Sequence, residues 1–188
     1  MAGTSNIPAC ATEDLYKSMT WCPGASRLPG IRKRLYHIRK NFISKWPTKA
    51  NGKYTGDFTL EAGKFWKYID VVEKKSKPSS ESQGEYPCKT FKQQLEFFYP
   101  GAEEDINEFE ELANNDSLVY AYQLSNGKFK ICGCEEYDTD TSFSSDLGQN
   151  ATDSMGVTAT VTCDAPTDMM IYEGAIKLSE TEDANPSA

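Results

Sequence analysis

Between Leu118 and Cys134 the chain reads LVYAYQLSNGKFKICGC, two runs rich in β-branched and aromatic residues around an Asn-Gly pair. No other stretch restricts the fold as tightly. Asn and Gly both accept positive φ, and a two-residue type I′ turn needs that at both central positions, so Asn126 and Gly127 are predicted to be the loop of a β-hairpin. Ser125 then faces Lys128, and one face pairs Leu124 with Phe129, Tyr122 with Ile131 and Tyr120 with Gly133. That face is apolar and should turn inward. The other pairs Gln123 with Lys130, Ala121 with Cys132 and Val119 with Cys134, so the hairpin tip is expected to be wet and its base covered.

The 188 residues fit one domain, or one domain with extended arms, and suffice to bury a core. Aromatic residues make up 12% while mean hydropathy is only -0.60. That combination points to a β fold with long polar loops. No apolar run approaches the roughly 18 residues a membrane span needs. The opening MAGTSNIPAC has no charged start followed by an apolar core, so neither a membrane nor a secretion signal is expected.

The six cysteines, Cys10, Cys22, Cys88, Cys132, Cys134 and Cys163, are expected as reduced thiols in a chain of this size without a secretion signal. Cys132-Gly-Cys134 lacks zinc-site spacing, and the only histidine, His37, is far away in sequence, so ordinary strand cysteines are preferred to a metal site. No cofactor is expected. The net charge of -8 hides an asymmetry: residues 1–100 hold 17 Lys+Arg and 9 Asp+Glu, a balance of +8, whereas residues 101–188 hold 3 and 19, a balance of -16. Such a chain invites contact between copies of itself, basic part to acidic part, unless both are solvated faces.

Residues 1–30 mix Gly, Pro, Ser and Cys, which suggests an extended N-terminal arm with a short helical turn over Thr12–Ser18. From Ile31 to Ile43 helical spacing competes with a bent strand, and the Pro29-Gly30 turn favours the strand. Arg32, Lys33, Arg34, Arg39 and Lys40 form a basic cluster there, either an inter-subunit or DNA-facing surface or a solvated rim. Lys49–Lys53 reads as a turn, and Thr55–Leu60 and Trp66–Val72 as strands. Residues 73–87 read as a long polar loop reaching an adjacent subunit.

Thr90–Tyr99 alternates as a strand, with Phe91, Gln93, Leu95, Phe97 and Tyr99 on one face. Ala102–Ala113 is the one expected helix: Glu103, Glu104 and Asp105 suit its N-terminal dipole, and Ile106, Phe109, Leu112 and Ala113 form its apolar stripe. Tyr137–Asp153 reads as an acidic loop without calcium-loop spacing. Val157–Cys163 and Met169–Leu178 are predicted strands, residues 31–178 one β-rich domain, and residues 179–188 a disordered tail.

In order, ACATEDLYKSMTWCPGASRLPGIRKRLYHI, SESQGEYPCKTF, FFYPGAEEDINEFEELANN, LVYAYQLSNGKFKICG and MMIYEGAI resemble segments of structural proteins of tailed bacteriophages. The chain is similar to their tail-tube-like virion proteins, especially those of Bacteroidetes-infecting, crAss-like phages, from about Asn6 to Leu178. The resemblance implies a mainly β (α+β) fold, an antiparallel β-sandwich or partly closed barrel with one flanking helix. It also implies a homo-oligomeric ring, a hexamer or dodecamer, in a virion tail or neck assembled in the bacterial host cytoplasm. Its partners would be other tail or neck proteins and passing DNA, contacted without sequence specificity. An enzyme is not expected, because no phosphate loop, nucleophile elbow or acid–base pair stands at recognisable spacing. The rival class is a monomeric or trimeric binding module for carbohydrate or a capsid surface.

Overall fold

The computed structural model describes residues 18, 19, 29–150, 152–180, 183 and 184. The arm predicted over 1–30, with its helical turn, lies almost wholly outside the described residues. In chain order the strands are β1 (Ile31–Arg39), β2 (Ile43–Lys45), β3 (Thr48–Ala50), β4 (Lys53–Thr55), β5 (Thr59–Leu60), β6 (Lys67–Asp70), β7 (Lys77–Gln83) and β8 (Thr90–Pro100). The helix α1 (Glu104–Ala113) follows, then β9 (Leu118–Leu124), β10 (Phe129–Cys132), β11 (Thr139–Asp146), β12 (Gly156–Ala165), β13 (Ile171–Tyr172), β14 (Ile176–Lys177) and β15 (Asp183–Ala184).

Two open sheets form the body, a seven-stranded one in the order β3-β4-β13-β10-β9-β1-β6 and a four-stranded one in the order β11-β12-β8-β7. The fold is therefore a mainly β sandwich with, among the described residues, a single flanking α-helix, and the barrel alternative falls because neither sheet closes on itself. Leu118 to Tyr122 in β9 are all buried, although successive side chains of a strand point to opposite faces. Both faces of the large sheet must be covered. Leu35, Tyr120 and Tyr122 pack towards Leu95, Phe97, Ala159 and Val161 of the small sheet. Val119, Ala121, Phe129 and Ile131 pack on the other side with Tyr54, Phe58, Trp66 and Tyr172.

This two-sided burial corrects the hairpin read from the sequence. Leu124 N–H donates to Lys128 O at 2.8 Å and Gly127 N–H to Leu124 O at 2.9 Å, so Ser125, Asn126 and Gly127 make a three-residue loop. Only Gly127 has positive φ, at 88°, and Asn126 does not. Asn126 Oδ1 accepts from Lys128 N–H at 3.1 Å and Gln123 Nε2 donates to Gly127 O at 2.8 Å, which holds the extra residue in the loop. The register moves by one, pairing Phe129 with Gln123, Lys130 with Tyr122, Ile131 with Ala121 and Cys132 with Tyr120. Phe129 and Ile131 thereby face away from Tyr120 and Tyr122. A hairpin with positive φ at both central positions is found instead at Asn51-Gly52 (φ 52° and 76°), with Ala50 opposite Lys53.

Two expected loops are strands. β7 lies inside the loop predicted over 73–87 and pairs with β8 from Lys77–Glu96 to Gln83–Thr90, so this segment is held by its own subunit. β11 lies inside the loop predicted over 137–153 and pairs with β12 over eight positions. Both are edge strands, where one ladder of backbone hydrogen bonds suffices and polar side chains stay wet; Pro78 is tolerated for the same reason. Three shorter corrections follow. Gly56, at φ 89°, breaks Thr55–Leu60 into β4 and β5. Met169–Leu178 holds two two-residue strands, and β14 pairs with β15 inside the supposed disordered tail. In α1 Ile106 and Ala113 are buried but Leu112 is 65% exposed.

Gln93 ties the layers together. Its Oε1 accepts from Gly133 N–H at 2.9 Å and its Nε2 donates to Thr167 O at 3.0 Å, which satisfies a buried amide at both ends.

Candidate functional site

The β1 strand carries Arg32, Lys33, Arg34 and Arg39, and Lys40 follows it directly, but the fold divides this basic cluster. Lys33 and Arg34 both reach Asp70 on β6, at 3.2 and 3.4 Å, and the Arg34 guanidinium lies 4.4 Å from the Tyr68 ring centre. At the other end Arg39 pairs with Asp116 at 2.5 Å. Lys40 Nζ donates to Asp138 Oδ1 and to Tyr137 O, both at 2.8 Å, and that bond holds the Asp138 carboxyl below its ordinary range. Arg32 makes no ion pair among the described residues. Lys49 pairs with Glu136 at 3.0 Å and Lys53 with Glu173 at 2.8 Å.

The basic first part of the chain thus meets the acidic remainder inside one subunit. Each exposed pair contributes only about 0–1 kcal/mol, but four of the five predicted cluster residues reach a carboxylate of their own chain, Lys33 and Arg34 sharing Asp70. The hairpin loop with Asn126 and Gly127 sits beside the start of β1, where Ser125 Oγ donates to Pro29 O at 2.9 Å and Ile31 faces Leu124. The fold therefore brings it near Arg32 and away from the Arg39 end.

Sequence reading missed an apolar groove of about 400 Å³ between the end of β1, α1 and the Phe65–Lys67 segment. His37, Phe42, Phe65, Phe109 and Leu112 line it, with Lys67 beside them. The His37 ring stands 5.0 Å from Phe109 and 6.4 Å from Tyr120. Burial, with the Lys67 charge adding to it, pushes His37 down to about 4, so the imidazole is neutral at pH 7. Phe109 and Leu112 were legible as part of a helical stripe, but the other walls come from segments distant in sequence.

The second feature missed is the pair of edges of the four-stranded sheet. No strand pairs with the outer side of β7 or β11 among the described residues. Residues 73–92, around β7, hold five Lys and three Glu, whereas residues 135–153, around β11, hold six acidic residues and no basic one. α1 and the residue before it add acidic Glu103, Glu104, Asp105 and Glu108, and the Phe109 ring packs 5.8 Å from Phe143 of β11. The β11 edge is therefore strongly acidic and the β7 edge only slightly basic, since Lys92 stands inside the sheet on β8, opposite Glu81 and Asp164.

Among the described residues no three His, Cys, Asp or Glu side chains gather as a metal-holding group, and no helix is long and apolar enough to cross a membrane. No family model matches the sequence, and comparison with curated proteins and with solved structures finds no match.

Proposed function

We propose that the chain is a non-enzymatic structural subunit of a tailed-phage virion, joining head to tail with copies of itself into rings of a tail tube or neck around the DNA channel. The observation that carries this reading is the four-stranded sheet with its slightly basic β7 edge and strongly acidic β11 edge. An edge that cannot match itself but matches the opposite edge favours a heterologous contact, and such contacts close into rings when the rotation permits. Strand direction alternates across the sheet, so β7 and β11 run antiparallel and a rotated copy continues the antiparallel order. The sequence resemblance to tail-tube-like proteins supports the same reading. In it, other tail or neck proteins cap the stack, and DNA passes without sequence-specific contact.

Negative-stain microscopy and light scattering of the full chain test the proposal. Rings or a defined oligomer are expected at low salt, weakening as ionic strength rises. A Lys74→Glu, Lys77→Glu, Lys89→Glu variant should assemble at least roughly tenfold more weakly, since like charges now face each other. A chain that stays monomeric at high concentration and low salt overturns the proposal, and glycan affinity in that monomer would establish the binding module instead.

A further inference from the structure

We propose that Cys134 and Cys163 are a latent cross-linking site, two thiols that close into a disulfide between the two sheets when the folded chain meets a hydroperoxide. Cys134 lies two residues beyond the end of β10 of the large sheet, and Cys163 belongs to β12 of the small one. Gly133, at φ 123°, turns the chain out of the β10 ladder and sets Cys134 against Cys163. Their sulfurs stand 3.7 Å apart, in contact, and the two side chains share a small buried cluster with Ala165.

The surroundings suit one partner to start the reaction. Tyr137 N–H donates to Cys134 Sγ at 3.3 Å, and both sulfurs lie near Asp164 O, at 3.6 and 3.5 Å. The hydrogen bond between the two cysteines favours charge on Cys134, bringing it down to about 7, and raises Cys163. Cys132, two residues earlier, is pushed up to about 12 by burial and packs in the sandwich core, so it does not compete. The four residues that follow Cys134, Glu135–Asp138, are all exposed.

The chemistry balances with one hydroperoxide. The Cys134 thiolate attacks a peroxide oxygen and breaks the O–O bond, and the departing oxygen takes up a proton and leaves as water, or as alcohol from an alkyl hydroperoxide. The sulfur of Cys163 then attacks the Cys134 sulfenic sulfur, forming S–S as S–O breaks. The proton of Cys163 leaves with the sulfenic oxygen as a second water. Two thiols are oxidised and one peroxide is reduced. The sulfurs must close to about 2.05 Å, within reach of side-chain rotation and a small strand shift.

The test exposes the purified full chain to hydrogen peroxide, alkylates the remaining thiols, digests without reductant and maps cross-links by mass spectrometry. A peptide joining Cys134 to Cys163 is expected, reversed by dithiothreitol and absent from Cys163→Ala. Bridging a loop of this size should raise Tm by roughly 10 °C in the native sequence and not in Cys163→Ala. Cys134 and Cys163 remaining alkylatable, Cys134 over-oxidised without a cross-link, or Cys134 joined to another cysteine would each overturn the proposal. A cross-link that leaves Tm unchanged overturns the inter-sheet staple.

Discussion

The two faces of β9 are covered in different ways. On one, Tyr120 and Tyr122 meet the long strands β8 and β12, and each hydroxyl finds a partner across the gap, Tyr120 with Thr141 Oγ1 and Tyr122 with Met169 Sδ, both at 3.0 Å. On the other, Val119 and Ala121 meet a cap of short strands and loops in which rings gather around Phe58: Trp46, Trp66 and Tyr172 at 5.2 to 5.4 Å between centres, Tyr54 at 6.4 Å. The sandwich core is fixed mainly by backbone ladders and the cap mainly by aromatic contact. A strand can thus be equally buried on both sides while the two coverings differ in what specifies them.

The largest effects should come from emptying each core. Leu95→Ala should cost about 2–5 kcal/mol and Phe58→Ala about 3–5 kcal/mol in urea unfolding. Hydrogen exchange should separate them, with Leu95→Ala raising exchange across β8, β12 and β9 and Phe58→Ala raising it first in residues 43–66 and 171–178. Uniform exchange in both variants would erase the distinction between a laddered core and a cap.

A middle-sized effect concerns the loop that decides which residues of β10 face the cap. Gly127→Val should cost about 1–3 kcal/mol through backbone strain alone, since a Cβ there meets open space. Asn51→Val should cost a similar amount for its positive φ, whereas Asn126→Val, losing the bond to Lys128 N–H, should cost under about 1 kcal/mol. Equal losses at Asn51 and Asn126 in thermal melts would restore a two-residue loop at 126–127, and with it the opposite facing of Phe129 and Ile131.

The smallest effect belongs to the helix end of the sandwich face, where His37 sits. The unfolded chain takes up its proton near pH 6.5, the folded chain only near 4, so between those values the unfolded state binds more protons. Stability should therefore fall steadily as pH drops from 6.5 to 4. His37→Gln should flatten that part of the curve in urea midpoints taken across the window. An unaltered slope would place the imidazole in water and open the groove.

The sandwich face was legible because Thr90–Tyr99 and Val157–Cys163 alternate over a full strand, and the helix because Ile106, Phe109 and Ala113 repeat at helical spacing. β7 and β11 were not. KPSSESQ and TDTSFSSD have the composition of loops, and what makes them strands is the hydrogen-bonding edge of β8 or β12 beside them. The one-residue error at Asn126 has a similar origin, because the dipeptide permits two loops and the choice rests on Phe129 and Ile131 being needed in the cap. Of the basic cluster the residues were readable, but their acids, Asp70, Asp116 and Asp138, arrive from other strands and turns.

One element of the cap sets an order of events during synthesis. In the large sheet the β3–β4 hairpin reaches the rest only through β13, two residues that lie parallel to β4 and antiparallel to β10. The Lys53–Glu173 pair beside this junction spans 120 residues of sequence. The hairpin therefore leaves the ribosome long before the strand that docks it, and until Ile171–Tyr172 emerges the aromatic side of β9 and β10 lacks its Tyr172 and its link to Tyr54. The nascent chain passes through a stage with one finished layer and one open apolar face, which a chaperone or a neighbouring chain can reach before the last strand closes it.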